Sequence, residues 1–177
     1  MSKWEIKIAG FGGQGVVLAG AILGKAAAIY DKKYAALTHS YGPEARGGSC
    51  SAQVIVGDEK ISFPYVIAPD IMVLMSQEAF DKYAREIKLD GKIIVEKNLV
   101  NYPADFPRSV YSIPATRMAE EMGSRIVLNL VMLGYMTAVS GIISPEAMRE
   151  SIKASVPKGT EYLNILAFDK GFDFGKE

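Results

Sequence analysis

Cysteine occurs once in the 177 residues, at Cys50, and histidine once, at His39. A lone cysteine excludes an intramolecular disulfide, and with it any iron–sulfur cluster or Cys-rich zinc site built by this chain alone. Cys50 reads as a small buried hydrophobe in a strand, with a reactive thiol as the alternative. His39, near a predicted strand end with no Ser/Asp partnership visible, reads as structural. An excess of charge of one sign is also missing: Lys+Arg and Asp+Glu both number 20. Without a basic surplus the chain lacks the footprint of a nucleic-acid binder. The longest apolar stretch, Ile126 to Ile143, is interrupted by Asn129, Gly134, Thr137, Ser140 and Gly141. At about 18 residues it is marginal for a bilayer, and a helix buried in a core or subunit contact is expected instead of a membrane span. Met1-Ser2-Lys3-Trp4-Glu5 lacks the apolar core of a signal peptide, so a cytoplasmic address is expected.

What is abundant is apolar surface: hydrophobic residues make up 49% of the chain at zero net charge. A monomer of that composition is poorly soluble, which makes burial against another subunit an expected outlet and leaves homodimerisation of the isolated chain open. The length suits one domain, 1–177, and no repeat or linker divides it.

Glu5 to Ala9 is a predicted strand running into Gly10-Phe11-Gly12-Gly13-Gln14-Gly15, followed by a helix over 16–29 rich in alanine and glycine. Tyr34 to Ser40 is a second strand. Ser51 to Val56, the turn Gly57-Asp58-Glu59-Lys60 and a return over 61–63 carry the signature of a β-hairpin insert. Ile71 to Met75 is a strand covered on both faces, Ser76 an N-cap for a helix over 77–86, and Lys92 to Glu96 and Ser109 to Ile113 are further strands. The last third is helical. Thr116 is expected to cap a helix over 117–122 that Gly123 ends, 125–140 forms the long apolar helix, and Ser144-Pro145-Glu146 starts another. Thr160 caps a final helix to about Phe168, with 169–177 loosely held. The fold class expected is α/β: a Rossmann-like domain with a mainly parallel sheet, a β-hairpin insert, helices on both faces and a helical C-terminal third.

Gly10-x-Gly12-x-x-Gly15, after a strand and opening a helix, has dinucleotide-binding spacing, which lets backbone approach a phosphate at a helix N-terminus. The acid that should follow at the tip of the second strand is missing. That tip reads Leu37-Thr38-His39-Ser40, and Asp31 lies in the turn before it. A nicotinamide site, a site for another anion and purely structural glycines stay open. In Gly42-Pro43-Glu44-Ala45-Arg46-Gly47-Gly48, the Arg46 guanidinium suits a bidentate carboxylate or phosphate clamp, or a local pairing with Glu44. Asn129, inside an apolar helix, needs a partner, either a backbone carbonyl or a group across an interface. Met118, Met122, Met132 and Met136 are spaced for core or interface packing.

These two glycine segments together resemble the gamma subunits of 2-oxoacid:ferredoxin oxidoreductases. Ala68-Pro69-Asp70, Ser76-Gln77-Glu78-Ala79, Asn129 and the segment from Pro157-Lys158 to Ala167-Phe168 extend the likeness over nearly the whole chain. The resemblance implies a complex in which alpha and beta subunits, with a ferredoxin-like delta subunit as an optional further partner, carry thiamine diphosphate, Mg and iron–sulfur clusters. The complex converts a 2-oxoacid and coenzyme A to acyl-CoA and carbon dioxide. Phe11 points toward the 2-oxoglutarate members. The isolated chain is expected to be inactive, with no catalytic or metal-binding residue of its own. Gly10, Gly12, Gly13, Gln14, Gly15, Arg46, Gly47 and Gly48 are its candidate contacts to coenzyme A, another anion or a partner subunit. The reading from another class is a stand-alone Rossmann-like nucleotide-binding or regulatory module.

Overall fold

The computed structural model describes residues 2–42 and 48–177. Six strands form one sheet in the order β2-β3-β1-β4-β5-β6: β1 Lys3–Phe11, β2 Tyr34–Tyr41, β3 Ser49–Gly57, β4 Ile71–Leu74, β5 Lys92–Glu96 and β6 Ser109–Ile113. β1, β4, β5 and β6 pair in parallel, as the apolar runs of β4 and β5 require of strands covered on both faces. Only β3 runs the other way, antiparallel to both β1 and β2. The mainly parallel α/β sheet is therefore as expected, but the hairpin is not where the sequence placed it. β2 and β3 form it, joined through 42–48, while 61–63 form no strand. Glycine and charge at 57–60 resembled a hairpin turn. Instead, 58–70 cross over the sheet, held where Glu5 accepts hydrogen bonds from the amides of Ile67 (2.9 Å) and Ala68 (3.2 Å) and Gln53 accepts one from Val66 (3.1 Å).

Helices cover both faces. α1 (Val16–Lys25), α3 (Ala115–Glu121), α4 (Leu128–Ser140), α5 (Pro145–Ser155) and α6 (Glu161–Phe174) build the larger core against Ile6, Ile8, Val54 and Val73. α2 (Gln77–Tyr83) covers the opposite face over Met72, Leu74, Ile93 and Val95. α1 stops short of 29 and passes into a π-helical turn at Ala26–Tyr30. The caps at Ser76 and Ser144 form as predicted, each hydroxyl accepting from the amide three residues on (3.1 and 3.2 Å). Thr116 does not cap α3, which begins earlier. The fully buried Glu96 carboxylate at the end of β5 accepts the Thr116 amide (3.1 Å) and the Asn98 amide (2.7 Å) instead.

The C-terminus also differs from expectation: 169–174 are the last turns of α6, not a loose tail. α4 is buried from Leu128 to Thr137, and α6 lies against it backbone to backbone. A Cβ at Gly134 would collide with the Phe168 carbonyl, and one at Gly171 with the Val131 carbonyl. Phe168 is fully buried between them. Gly171→Ala is expected to cost about 3 kcal/mol through this overpacking, read as a lowered urea midpoint at unchanged slope.

Burial pushes the Glu5 carboxyl up, but the Lys3 ammonium (2.8 Å) and the two backbone donors outweigh it and hold the group below its ordinary value of 4.5. The unfolded chain then binds the proton more readily, so the contribution is present above pH 4.5 and fades as pH falls through the lower folded value. Urea melts from pH 6 down to about pH 3 should show an acid loss of stability that Glu5→Gln reduces.

Candidate functional site

α1 leaves β1 on one face of the sheet and α2 leaves β4 on the other, so the carboxyl ends of these neighbouring strands flank the crevice where open α/β sheets bind ligands. The glycine turn lies there. Its own side chain bridges the crevice: Gln14 Oε1 accepts the Phe11 amide (2.7 Å) and Nε2 donates to the Met75 carbonyl (2.9 Å). Met75 N in turn donates to the Ala9 carbonyl (2.9 Å). Gly10 is glycine because a Cβ there would collide with Gln14 Oε1.

Three amides of the turn are engaged within the fold. Phe11 N meets Gln14, Gly12 N donates to the Gly48 carbonyl (2.9 Å), and Gln14 N donates to the Phe11 carbonyl (3.1 Å). A phosphate cradle requires such amides free. Gly13 and Gly15 take positive φ, 93° and 72°. Gly15 caps α1 without a side-chain acceptor, and a Cβ on it would strike Asn129. Asn129, 2% exposed, donates from Nδ2 to the Gly15 carbonyl (3.2 Å), the backbone partner anticipated for it. The structure thus gathers Gly10, Gly12, Gly13, Gln14, Gly15 and Gly48 at one end of the sheet. Arg46 and Gly47 lie outside the described residues.

The absent ribose acid has a physical counterpart. Asp31 receives the amide (2.7 Å) and hydroxyl (2.6 Å) of Ser144, fastening the start of α5 to the turn after α1. Sequence reading missed this pair because partners 113 residues apart leave no local pattern. His39 is exposed on β2, its ring 5.4 Å from that of Tyr41. Cys50 is buried in β3, and burial pushes its thiol above the ordinary range. Met132 and Met136 lie in the core, with Met118 and Met122 packed against it.

Among the described residues no three of His, Cys, Asp and Glu cluster to hold a metal ion, and no helix is long and apolar enough to cross a membrane.

The fold and this internally braced turn define a Rossmann-like domain. Residues 5–174 match the pyruvate ferredoxin/flavodoxin oxidoreductase family, and the chain belongs to it. It is 52% identical over 176 residues to the 2-oxoglutarate synthase subunit KorC of Methanocaldococcus jannaschii, covering 98% of this chain and 94% of that one. The ketoisovalerate oxidoreductase subunit VorA of Methanothermobacter thermautotrophicus is 31% identical across 98% of this chain, which there occupies 36% of a longer polypeptide. Among solved structures, the keto/oxoacid ferredoxin oxidoreductase gamma subunit of Geobacter sulfurreducens superposes with a TM-score of 0.90 at 35% identity, covering 99% of this chain and 98% of its own.

The Gly15–Asn129 contact makes a double-mutant test. Gly15→Ala should cost about 3 kcal/mol, from collision plus positive-φ strain. In an Asn129→Ala background the same change should cost only the strain, about 1 kcal/mol, measured by chemical denaturation.

Proposed function

We propose that this chain is the gamma-type subunit of a 2-oxoacid:ferredoxin or other-acceptor oxidoreductase whose 2-oxoacid is 2-oxoglutarate. The complex cleaves the bond between the keto carbon and the carboxylate. It releases carbon dioxide, joins the acyl group to the coenzyme A sulfur and passes two electrons to the acceptor. Full-length similarity to KorC subunits, at 52% identity, is the observation that carries this reading. Residues 1–177 act as one gamma-type domain in the cytoplasm, beside alpha and beta subunits and, where present, a ferredoxin-like delta subunit.

The electron-transfer groups belong to those partners. When bound, thiamine diphosphate with Mg supplies the carbanion chemistry, and iron–sulfur clusters carry the electrons. A single buried cysteine in this chain supports that division. The task left to this chain is positioning. With the Phe11, Gly12 and Gln14 amides engaged internally, the glycine turn is a braced platform that presents Phe11 and Gly13. Gly10, Gly12, Gly13, Gln14, Gly15 and Gly48 form the face that meets the alpha subunit beside the coenzyme A site, and Arg46 and Gly47, outside the described residues, are candidate contacts by sequence alone.

An affinity-tagged copy expressed in its native cell should recover thiamine- and cluster-bearing chains and a dye-reducing activity that needs both 2-oxoglutarate and coenzyme A. Recovery of a lone protein carrying a nucleotide would overturn the proposal. Arg46→Ala should lower complex yield or raise the apparent KM for coenzyme A about tenfold. No change in either would remove the loop from the site.

A further inference from the structure

A second cavity lies at the other end of the sheet. The 3₁₀ turn Ala84–Glu86 follows α2 and leads toward the start of β5, while Arg108 directly precedes β6, whose first residue pairs with Lys92 at the start of β5. Between these amino-terminal strand ends is a cavity of about 430 Å³ lined by Arg85, Pro103, Asp105, Phe106, Pro107 and Arg108. The connection that forms it is anchored by aromatic packing: Phe106 and Tyr102 lie 5.1 and 5.9 Å from the Phe80 ring of α2. Its walls are therefore fixed by the smaller core.

The charges in it are unmatched. Arg108 donates to the Pro107 carbonyl (2.7 Å), yet its Nε is sealed from solvent and has no hydrogen-bond partner among the described residues. Sealed in this way, Nε is out of reach of an occupant, and the terminal nitrogens of the guanidinium are the donors left for one. None of the ion pairs among the described residues uses Arg85 or Arg108. Two arginines and one carboxylate, Asp105, line it, so the lining carries net positive charge. Two prolines and Phe106 give it flat apolar walls.

We propose that this cavity binds a small oxyanion, phosphate or carboxylate, carried on a flat apolar body. Arg108 and Arg85 hold the oxygens and Pro103, Phe106 and Pro107 pack the body. Guanidinium forks match such oxygens in pairs and stay charged at any working pH. The volume lies within the range of small-molecule sites. Asp105 opposes the anion and weakens it.

The test is a calorimetric titration of the full chain with phenyl phosphate and with benzoate. Saturable binding of either at a Kd on the order of 1 mM is expected. Arg108→Gln and the exposed Arg85→Gln should each weaken it about tenfold or more at an unchanged melting temperature. Asp105→Asn should tighten it about threefold, an effect that a merely structural residue would not produce. Arg117→Gln, on the exposed face of α3, should leave it unchanged. No saturation by either probe up to about 10 mM, or binding indifferent to both arginine substitutions, would overturn the proposal.

Discussion

The Gln14 side chain joins two strand ends that the backbone alone would leave to meet across an open crevice. One amide group satisfies the last part of β1 through Phe11 N and the end of β4 through Met75 O. From that bridge the neighbouring positions follow. Gly10 must lack a side chain to admit Gln14, and Gly15 must take a left-handed conformation to turn the chain into α1. Asn129, on α4 in the same larger core as α1, donates to the Gly15 carbonyl, which also accepts the Ala19 amide (2.9 Å). A nucleotide-binding domain leaves this crevice to its ligand. Here the Gln14 side chain spans it, and three amides of a turn with dinucleotide spacing are engaged within the fold.

Much of this was legible locally. The caps at Ser76 and Ser144, the glycine end of α4 at Gly141 and the limits of β5 and β6 come from short-range chemistry that sequence shows directly. Asn129 was legible in kind, since a buried amide in an apolar helix needs a partner. What escaped was non-local. The turn-like residues at 57–60 pointed to a hairpin because nothing in them records that β3 already has β1 and β2 on its two sides. The polar tail from Asp169 concealed a helix because its anchor is Gly171 against the Val131 backbone. Glycine in a helix is ordinarily a sign of weakness, and only tertiary approach reverses its meaning.

For the candidate site, the glycine turn was found by pattern, but its use was not. Spacing alone shows where amides can gather, whereas hydrogen bonds to Gly48 and Gln14 determine whether they are free. The family relationship and the engaged amides agree on a chain that supports chemistry carried elsewhere. Half-exposed Tyr34 and Tyr41 on β2 and Phe63, Tyr65 and Ile67 on the crossover leave apolar surface of the kind subunits bury.

The contact between α4 and α6 also bears on the order in which the molecule is made. α4 is the most continuously buried helix, and the surface that seals it, α6, follows the sheet and α4 in the order of synthesis. Until α6 emerges, the larger core has an open side and the nascent chain cannot complete it, however well the sheet has formed. Closure of the larger core therefore waits for α6, the last of its helices in sequence order. A chain stalled before Gly171 would present a bare helix face to the chaperones around it.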